Sequence, residues 1–278
     1  MPTAKSVRPH VEIYSRGNRV NGWHVEEIPD SFYWLYQFEP ESTDLFPGNV
    51  QSVLFQSNQY TASEPLKIFV SGERSSVGKS TICLAILAAL IERGIPPEDL
   101  AYIKPVTQCE AEQPITQYCR AKGISNVSIG PVVFYQGFTR SFLNNETETP
   151  TALLEKVRVA VDDVSRGKKF VLVDGVGYPS VGSICNISNG HVAQTLGIPV
   201  LLVGKSGVGD AVDSYNLNRI FFESFGVRVL GGIFNKFELD GFYALPLCRD
   251  SINSYFKQYQ SSQLPYGFLP KLSFHLSK

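Results

Sequence analysis

The chain has 278 residues, enough for one large α/β domain or two small ones. Apolar residues make up 43% of it and charged residues 18%, a globular composition without the charge or proline excess that marks disorder. The formal net charge of −1 gives no overall field that would attract nucleic acid or an anionic membrane, so we expect neither as a partner.

The cysteines are scattered and include no C-x-x-C pair, so we expect reduced thiols rather than a zinc or redox site. They are Cys83, Cys109, Cys119, Cys185 and Cys248. No apolar run reaches the ~18 to 20 residues that a membrane span needs, and the N-terminal residues lack the features of a signal or transit peptide. A cytoplasmic location is the expectation.

Residues 1–64 are rich in aromatic side chains and show no sustained helical or strand periodicity. We interpret them as an N-terminal extension of unknown role that folds back onto the main domain. A partner-binding arm that uses Trp23 and Trp34 is the second interpretation. The polar stretch 57–65 ends in Pro65 and is typical of a linker, so the main domain is predicted to occupy residues 65–278.

From residue 66 onward, short apolar runs alternate with amphipathic stretches, which is the pattern of βαβ units. The continuous apolar runs 170–173 and 200–203 are typical of strands covered by helices on both faces. The sequence therefore predicts a three-layer α/β fold with a mostly parallel central sheet. The predicted strands are 67–71, 101–106, 170–174, 199–204 and 229–235. The predicted helices are 80–93, 151–166, 210–225 and 250–259, with another beginning at Pro114.

Several helix ends have their own signals. Ser188 or Asn189 is predicted to cap a helix whose first turn contains His191. Gly197, Gly226 and Gly267 are each predicted to follow a helix as its C-terminal cap.

The segment 72–80 is interpreted as the phosphate-binding loop G-x-x-x-x-G-K-[ST], because it lies between a predicted buried strand and a predicted helix. Gly72 is taken as the first glycine of the motif. Backbone N–H groups of the loop would wrap the phosphates, Lys79 would reach the β and γ phosphates, and the Ser80 hydroxyl would bind Mg²⁺. The predicted nucleotide-binding residues here are Gly72, Ser75, Ser76, Val77, Gly78, Lys79, Ser80 and Thr81.

Other polar residues follow the ends of the predicted strands. Asp174 ends a buried strand and is the predicted metal carboxylate, with a simple turn-opening aspartate as the alternative. Lys104 lies where a cation can neutralise phosphate charge, although that segment taken alone favours a surface lysine. Glu110 or Glu112 is either a second metal carboxylate or an acid in the first turn of a helix.

Asn235 follows the fifth predicted strand and could present its amide to a nucleobase, with a plain turn as the alternative. Glu238 stands where guanine-specific P-loop proteins have the aspartate of N-K-x-D. The sequence therefore leaves GTP and CTP as alternatives to ATP as the bound nucleotide.

The order of these motifs resembles the dethiobiotin synthetase family, and also the N-terminal domain of some phosphotransacetylases. The loop 72–80 is similar to that family's V-G-K-[ST] loop, 104–106 to its K-P-V, and 174–177 to its E-G-A-G. The stretch 264–270 is similar to its closing L-x-G-x-[IL]-P segment. The resemblance covers residues 66–272.

In that family, ATP phosphorylates a carbamate formed from CO₂ and a diamino acid, and a ring-closing amine then expels phosphate. The resemblance implies that Lys79 and Lys104 stabilise phosphate, that Ser80 and Asp174 hold Mg²⁺, and that Asn235 binds adenine. Glu112 or Glu110 would supply the remaining metal carboxylate. The resemblance also implies a homodimer.

The chain departs from the family around the acceptor site. Thr107, Gln108 and Cys109 follow K-P-V where the family has a small residue or serine, and the family's S-P-H segment has no counterpart. Two hypotheses remain. The first is Mg²⁺-dependent phosphoryl transfer from ATP to a carboxylate or carbamate of a small acid, with dethiobiotin synthesis as one case. The second is a non-catalytic nucleotide-binding module in regulation or assembly, which the missing diamino-acid segment favours.

Overall fold

The computed structural model describes residues 65–271. The predicted extension of residues 1–64, with Trp23 and Trp34, lies outside the described residues. So do residues 272–278 of the predicted main domain. No helix within residues 65–271 combines the length and the apolar character needed to cross a bilayer.

Parallel strands form the centre of the fold. The strands are β1 (Leu66–Gly72), β2 (Leu100–Ile103), β3 (Val106–Thr107), β4 (Ser125–Asn126), β5 (Val132–Val133), β6 (Phe170–Asp174), β7 (Val200–Gly204), β8 (Val229–Phe237) and β9 (Leu264–Pro270). Seven of them make one sheet in the order β4-β2-β6-β1-β7-β8-β9, and β3 and β5 pair separately. Every pairing is parallel. The apolar strands β6 and β7 are buried at every residue, as strands covered on both faces must be.

Helices flank this sheet and complete the predicted three-layer α/β fold. They are α1 (Lys79–Glu92), α2 (Pro114–Lys122), α3 (Phe138–Leu143), α4 (Pro150–Ser165), α5 (Asn189–Leu196), α6 (Gly209–Glu223) and α7 (Leu245–Tyr259). The predicted start at Pro114 is confirmed. Ser188 caps α5 by accepting the His191 N–H, and the His191 ring returns a contact to the Ser188 N–H, which satisfies two otherwise unpaired donors.

Two sequence predictions were wrong. The strand predicted over 101–106 ends at Ile103, and Val106 pairs with Val132 in the separate sheet. Pro105 explains the break, because proline has no N–H to continue the hydrogen-bond ladder. Gly267 does not cap a helix: α7 ends at Tyr259, and Gly267 lies within β9 opposite Ile233.

A bulge shapes strand β8. Val229 pairs with Val200 and Gly231 pairs with Leu201, so Leu230 is an extra residue in the ladder. Gly231 has φ 151°, and a Cβ atom there would overlap the backbone oxygen of Leu264 in β9. Only glycine allows this strand to bend and still pair with its neighbour.

We therefore expect Gly231→Ala to lower the free energy of unfolding by more than about 1 kcal/mol, because β9 must shift to admit the methyl group. Urea denaturation followed by circular dichroism measures this. Gly209→Ala at the start of α6 is the matched control, because open space surrounds its Cβ position, and it should change stability by less than about 1 kcal/mol. Equal effects of the two substitutions would contradict the prediction.

Candidate functional site

The predicted phosphate loop joins β1 to α1 at the carboxyl edge of the sheet. Its alignment with the motif needs one correction. Five residues separate Gly72 from Gly78, whereas G-x-x-x-x-G has four, so Gly72 stands one residue too early. Glu73 occupies the position of the motif's first glycine. Gly78, Lys79 and Ser80 keep their places at the end of the motif.

The end of β8 braces this loop. The Asn235 Nδ2 group donates a hydrogen bond to the Val77 carbonyl oxygen at 2.9 Å, and Lys236 Nζ donates to the Ser76 carbonyl oxygen at 2.6 Å. Gly78 has φ 100°, and a Cβ there would overlap the Asn235 amide, so glycine is required at this close approach. Asn235 thus contacts the loop backbone, and its contact with a nucleobase stays a prediction.

A buried carboxylate lies beside the loop. Asp174, at the end of β6, is fully buried and accepts a hydrogen bond from Lys79 Nζ on Oδ1. On Oδ2 it accepts a hydrogen bond from the Tyr102 hydroxyl at 2.8 Å, and Lys104 Nζ lies 3.8 Å from the same oxygen. The structure therefore brings together the three predicted residues Lys79, Lys104 and Asp174.

The opposite charges in this cluster stabilise each other's ionised forms. Burial opposes ionisation of Asp174, but the ammonium groups of Lys79 and Lys104 outweigh burial and lower the pKa of Asp174. Burial likewise opposes the charge on Lys79, yet the Asp174 carboxylate raises the pKa of Lys79. Both groups are therefore ionised at neutral pH.

Sequence reasoning missed Tyr102. The available signal was its spacing: Tyr102 lies two residues before Lys104, and residues at that spacing in a strand point to the same side. The pairing of Tyr102 with Leu172 brings this side of β2 next to the end of β6.

Comparisons with known proteins identify the family. A family model described as an AAA domain matches residues 66–266. The chain belongs to this family of P-loop NTPases. Its resemblance to dethiobiotin synthetases also appears in a curated relative, the ATP-dependent dethiobiotin synthetase BioD of Aquifex aeolicus strain VF5. That protein is 28% identical over 174 residues, which cover 62% of this chain and 77% of the relative.

Solved structures with similar folds are more distant. A putative plasmid partition protein of Borrelia burgdorferi B31 bound to AMPPNP is 16% identical with a TM-score of 0.46, covering 78% of this chain and 93% of that protein. A ParA family ATPase of Chlorobium tepidum TLS is 11% identical with a TM-score of 0.44, covering 76% and 86%.

The oxygen ligands of this dethiobiotin synthetase-like NTPase fit magnesium, which prefers carboxylate and hydroxyl oxygens. Asp174 offers the carboxylate, and Ser80 lies half-buried in the first turn of α1. Glu112 is paired with Arg120, with Oε2 3.2 Å from Nη1, and Glu110 is exposed. Within residues 65–271, no three His, Cys, Asp or Glu side chains group as a metal site. A role for Glu112 in binding metal stays a prediction.

The remaining predicted loop residues differ in exposure. Val77 is buried, whereas Ser75, Ser76 and Thr81 are exposed. The exposed residues lie where a bound nucleotide could reach their N–H groups or hydroxyls.

The space beside Lys104 is small. A cavity of about 10 Å³ lies there, lined by Tyr102, Lys104, Thr107, Cys109 and Gln113 among others. This volume accommodates a single water molecule. This cavity is therefore too small to hold a diamino acid.

Glu73 is a second buried carboxylate at the loop. Only 2% of its side chain is exposed, and neither carboxylate oxygen has a hydrogen-bond partner within the described part of the chain. Burial raises the pKa of Glu73. The Ser214 hydroxyl and the Lys205 and Arg74 side chains lie near enough to offset burial only in part.

This raised pKa predicts a pH-dependent cost in stability. A carboxyl group whose folded-state pKa lies above its ordinary value of 4.5 favours folding at low pH and loses that contribution as pH rises through the folded-state value. Glu73→Gln removes the titration. We therefore expect the free energy of unfolding of the variant, relative to wild type, to increase as pH rises from 4.5 through the raised folded-state pKa of Glu73.

Urea denaturation at several pH values measures the difference. Glu110→Gln, at an exposed position, is the control and should follow wild type across the range. A difference between Glu73→Gln and wild type that stays constant with pH would show that Glu73 does not titrate in this way.

Proposed function

We propose that this chain is a Mg²⁺-dependent enzyme that transfers the γ-phosphoryl group of ATP to a carboxylate or carbamate of a small acid. The observation that carries the proposal is the cluster of Lys79, Lys104 and Asp174 beside the phosphate loop. The curated relative named as an ATP-dependent dethiobiotin synthetase supports it. Phosphoryl transfer asks a protein mainly for positioning and charge neutralisation, and this cluster offers both.

The residues have distinct roles in this proposal. Lys79 leaves Asp174 and donates to the β and γ phosphates, which exchanges one anionic partner for another. Lys104 stays nearby and neutralises charge on the transferred group. Asp174 and Ser80 would hold Mg²⁺, which would supply positive charge to neutralise the phosphates. Asn235 lies at the loop and contacts the adenine.

The small cavity favours a second candidate. Because the cavity beside Lys104 has the volume of one water molecule, it does not itself hold an acceptor acid. A nucleotide-binding regulatory or assembly module needs no such acceptor site. We propose this module as the alternative function.

Other features of the protein belong to the same proposal. We propose a cytoplasmic homodimer whose P-loop domain spans residues 65–278, with residues 1–64 as a separate extension. The resemblance to dethiobiotin synthetases is the support for the homodimer.

Replacement of the loop lysine tests the function. With ATP, Mg²⁺, bicarbonate and diaminopelargonate, we expect wild type to release phosphate and Lys79→Ala to be at least ~100-fold slower, because a donor to the transferred phosphoryl group is lost. Lys67→Ala is the control, because Lys67 lies near the start of β1 and pairs, within residues 65–271, with the partly exposed Asp162 at 3.4 Å. Circular dichroism checks the fold of both variants. A wild type that binds ATP but shows no acid-stimulated phosphate release would favour the module.

Base preference is tested separately. Glu238 pairs with Lys271 at 2.9 Å, so its carboxylate is not free to accept from a guanine edge unless that ion pair opens. We therefore expect ATP with Mg²⁺ to raise the melting temperature more than GTP or CTP. At 100 times the dissociation constant, bound ATP should stabilise the protein by ~2.7 kcal/mol. Stabilisation by GTP alone would contradict the adenine assignment.

A further inference from the structure

Tyr102 places a hydroxyl group in the protein interior beside the proposed metal carboxylate. The side chain is fully buried, and its hydroxyl donates to Asp174 Oδ2 at 2.8 Å. A tyrosine hydroxyl with its ordinary pKa of about 10 is protonated at neutral pH, so it serves as the donor in this hydrogen bond.

The donors to Asp174 are divided between its two oxygens. Lys79 donates to Oδ1 and Tyr102 donates to Oδ2. Lys104 is farther from Oδ2, at 3.8 Å, beyond hydrogen-bond distance. When Lys79 turns to a bound nucleotide, Oδ1 loses its donor while Oδ2 keeps the Tyr102 hydroxyl.

This division matters because a carboxylate is free to rotate about its terminal bond when nothing holds it. Tyr102 is attached to a buried strand that pairs with β6, so its hydroxyl has a fixed place relative to Asp174. Groups that hydrogen-bond to a metal-ligating carboxylate orient it, and their loss costs metal affinity.

We propose that Tyr102 is a positioning residue that holds Oδ2 of Asp174, which would leave Oδ1 available to a magnesium ion when Lys79 donates to the nucleotide instead. This inference rests on the proposed function, since it requires Asp174 to bind magnesium. It adds a residue that neither the loop motif nor the resemblance to dethiobiotin synthetases identifies.

A purely structural Tyr102 makes a different prediction. If the residue only fills space, Tyr102→Phe keeps the ring, and the lost hydrogen bond affects stability alone. If it positions Asp174, the same substitution weakens the contribution of magnesium to nucleotide binding. The decisive quantity is the ratio of the ATP dissociation constants without and with Mg²⁺, measured by calorimetry with a non-hydrolysable ATP analogue.

We expect Tyr102→Phe to reduce this ratio about 10-fold, the usual loss when a group behind a metal ligand is removed, with little change in affinity without Mg²⁺. Tyr215→Phe is the matched control, because the Tyr215 hydroxyl is also buried and donates to Gln263 Oε1 at 2.6 Å, in a different part of the protein. For Tyr215→Phe, the ratio of the dissociation constants without and with Mg²⁺ should equal that of wild type. Circular dichroism and thermal melting check the fold of both variants.

The outcomes separate this inference from the function on which it rests. A wild-type ratio in a folded Tyr102→Phe protein overturns the role of Tyr102 and leaves the proposed function standing. A wild type that binds the analogue without any gain from Mg²⁺ overturns both. A Tyr102→Phe protein that is unfolded at the assay temperature while Tyr215→Phe is folded also overturns the inference, because a structural hydroxyl then accounts for the residue.

Discussion

The site depends on the charge of one carboxylate that has no access to solvent. An unpaired carboxylate in a protein interior costs several kcal/mol, so Asp174 at the end of β6 requires donors from its neighbours. Lys79 comes from the start of α1, Tyr102 from β2, and Lys104 from the residue after that strand. The strand order β2-β6-β1 allows these groups to meet, because it places β6 between the elements that carry them.

The same requirement connects stability with function. Lys79 neutralises Asp174 in the described structure, and the proposed mechanism moves it to phosphate. In that proposal Asp174 would need another cation, which magnesium bound with the nucleotide would supply. Lys104 Nζ, 3.8 Å from Oδ2, is a second positive neighbour of the carboxylate. If Asp174 had no cation other than Lys79, the move of Lys79 to phosphate would leave a buried carboxylate unpaired, at a cost in stability.

Much of the fold was predictable because buried parallel strands are continuous apolar runs. The strand over 170–174 was predicted residue for residue, and that over 200–204 within one residue. Pairing across the sheet was not predictable in the same way. The contact between Tyr102 and Asp174 depends on β2 lying beside β6, which no local pattern specifies.

Local chemistry explains the other differences between the sequence predictions and the structure. The strand beginning near residue 100 was extended through Pro105, although proline ends the hydrogen-bond ladder. Gly267 was interpreted by residue type alone, yet it lies in an edge strand just before the buried residues Phe268 and Leu269. The phosphate loop was found by its lysine and serine, while its first position was misassigned. The carboxylate of Glu73 at that position therefore went unnoticed, as did the burial that perturbs it.

The attachment of Asn235 and Lys236 to the phosphate loop has a consequence for the thermodynamics of ligand binding. Both side chains hold loop carbonyl oxygens, so contacts with β8 fix the shape of the loop. A flexible loop would lose backbone freedom on binding, at a cost of roughly 1–2 kcal/mol for each residue ordered. Here that entropy is lost during folding, when β8 takes its place in the sheet. The arriving phosphates therefore meet a rigid set of donors, and more of their interaction energy appears as affinity.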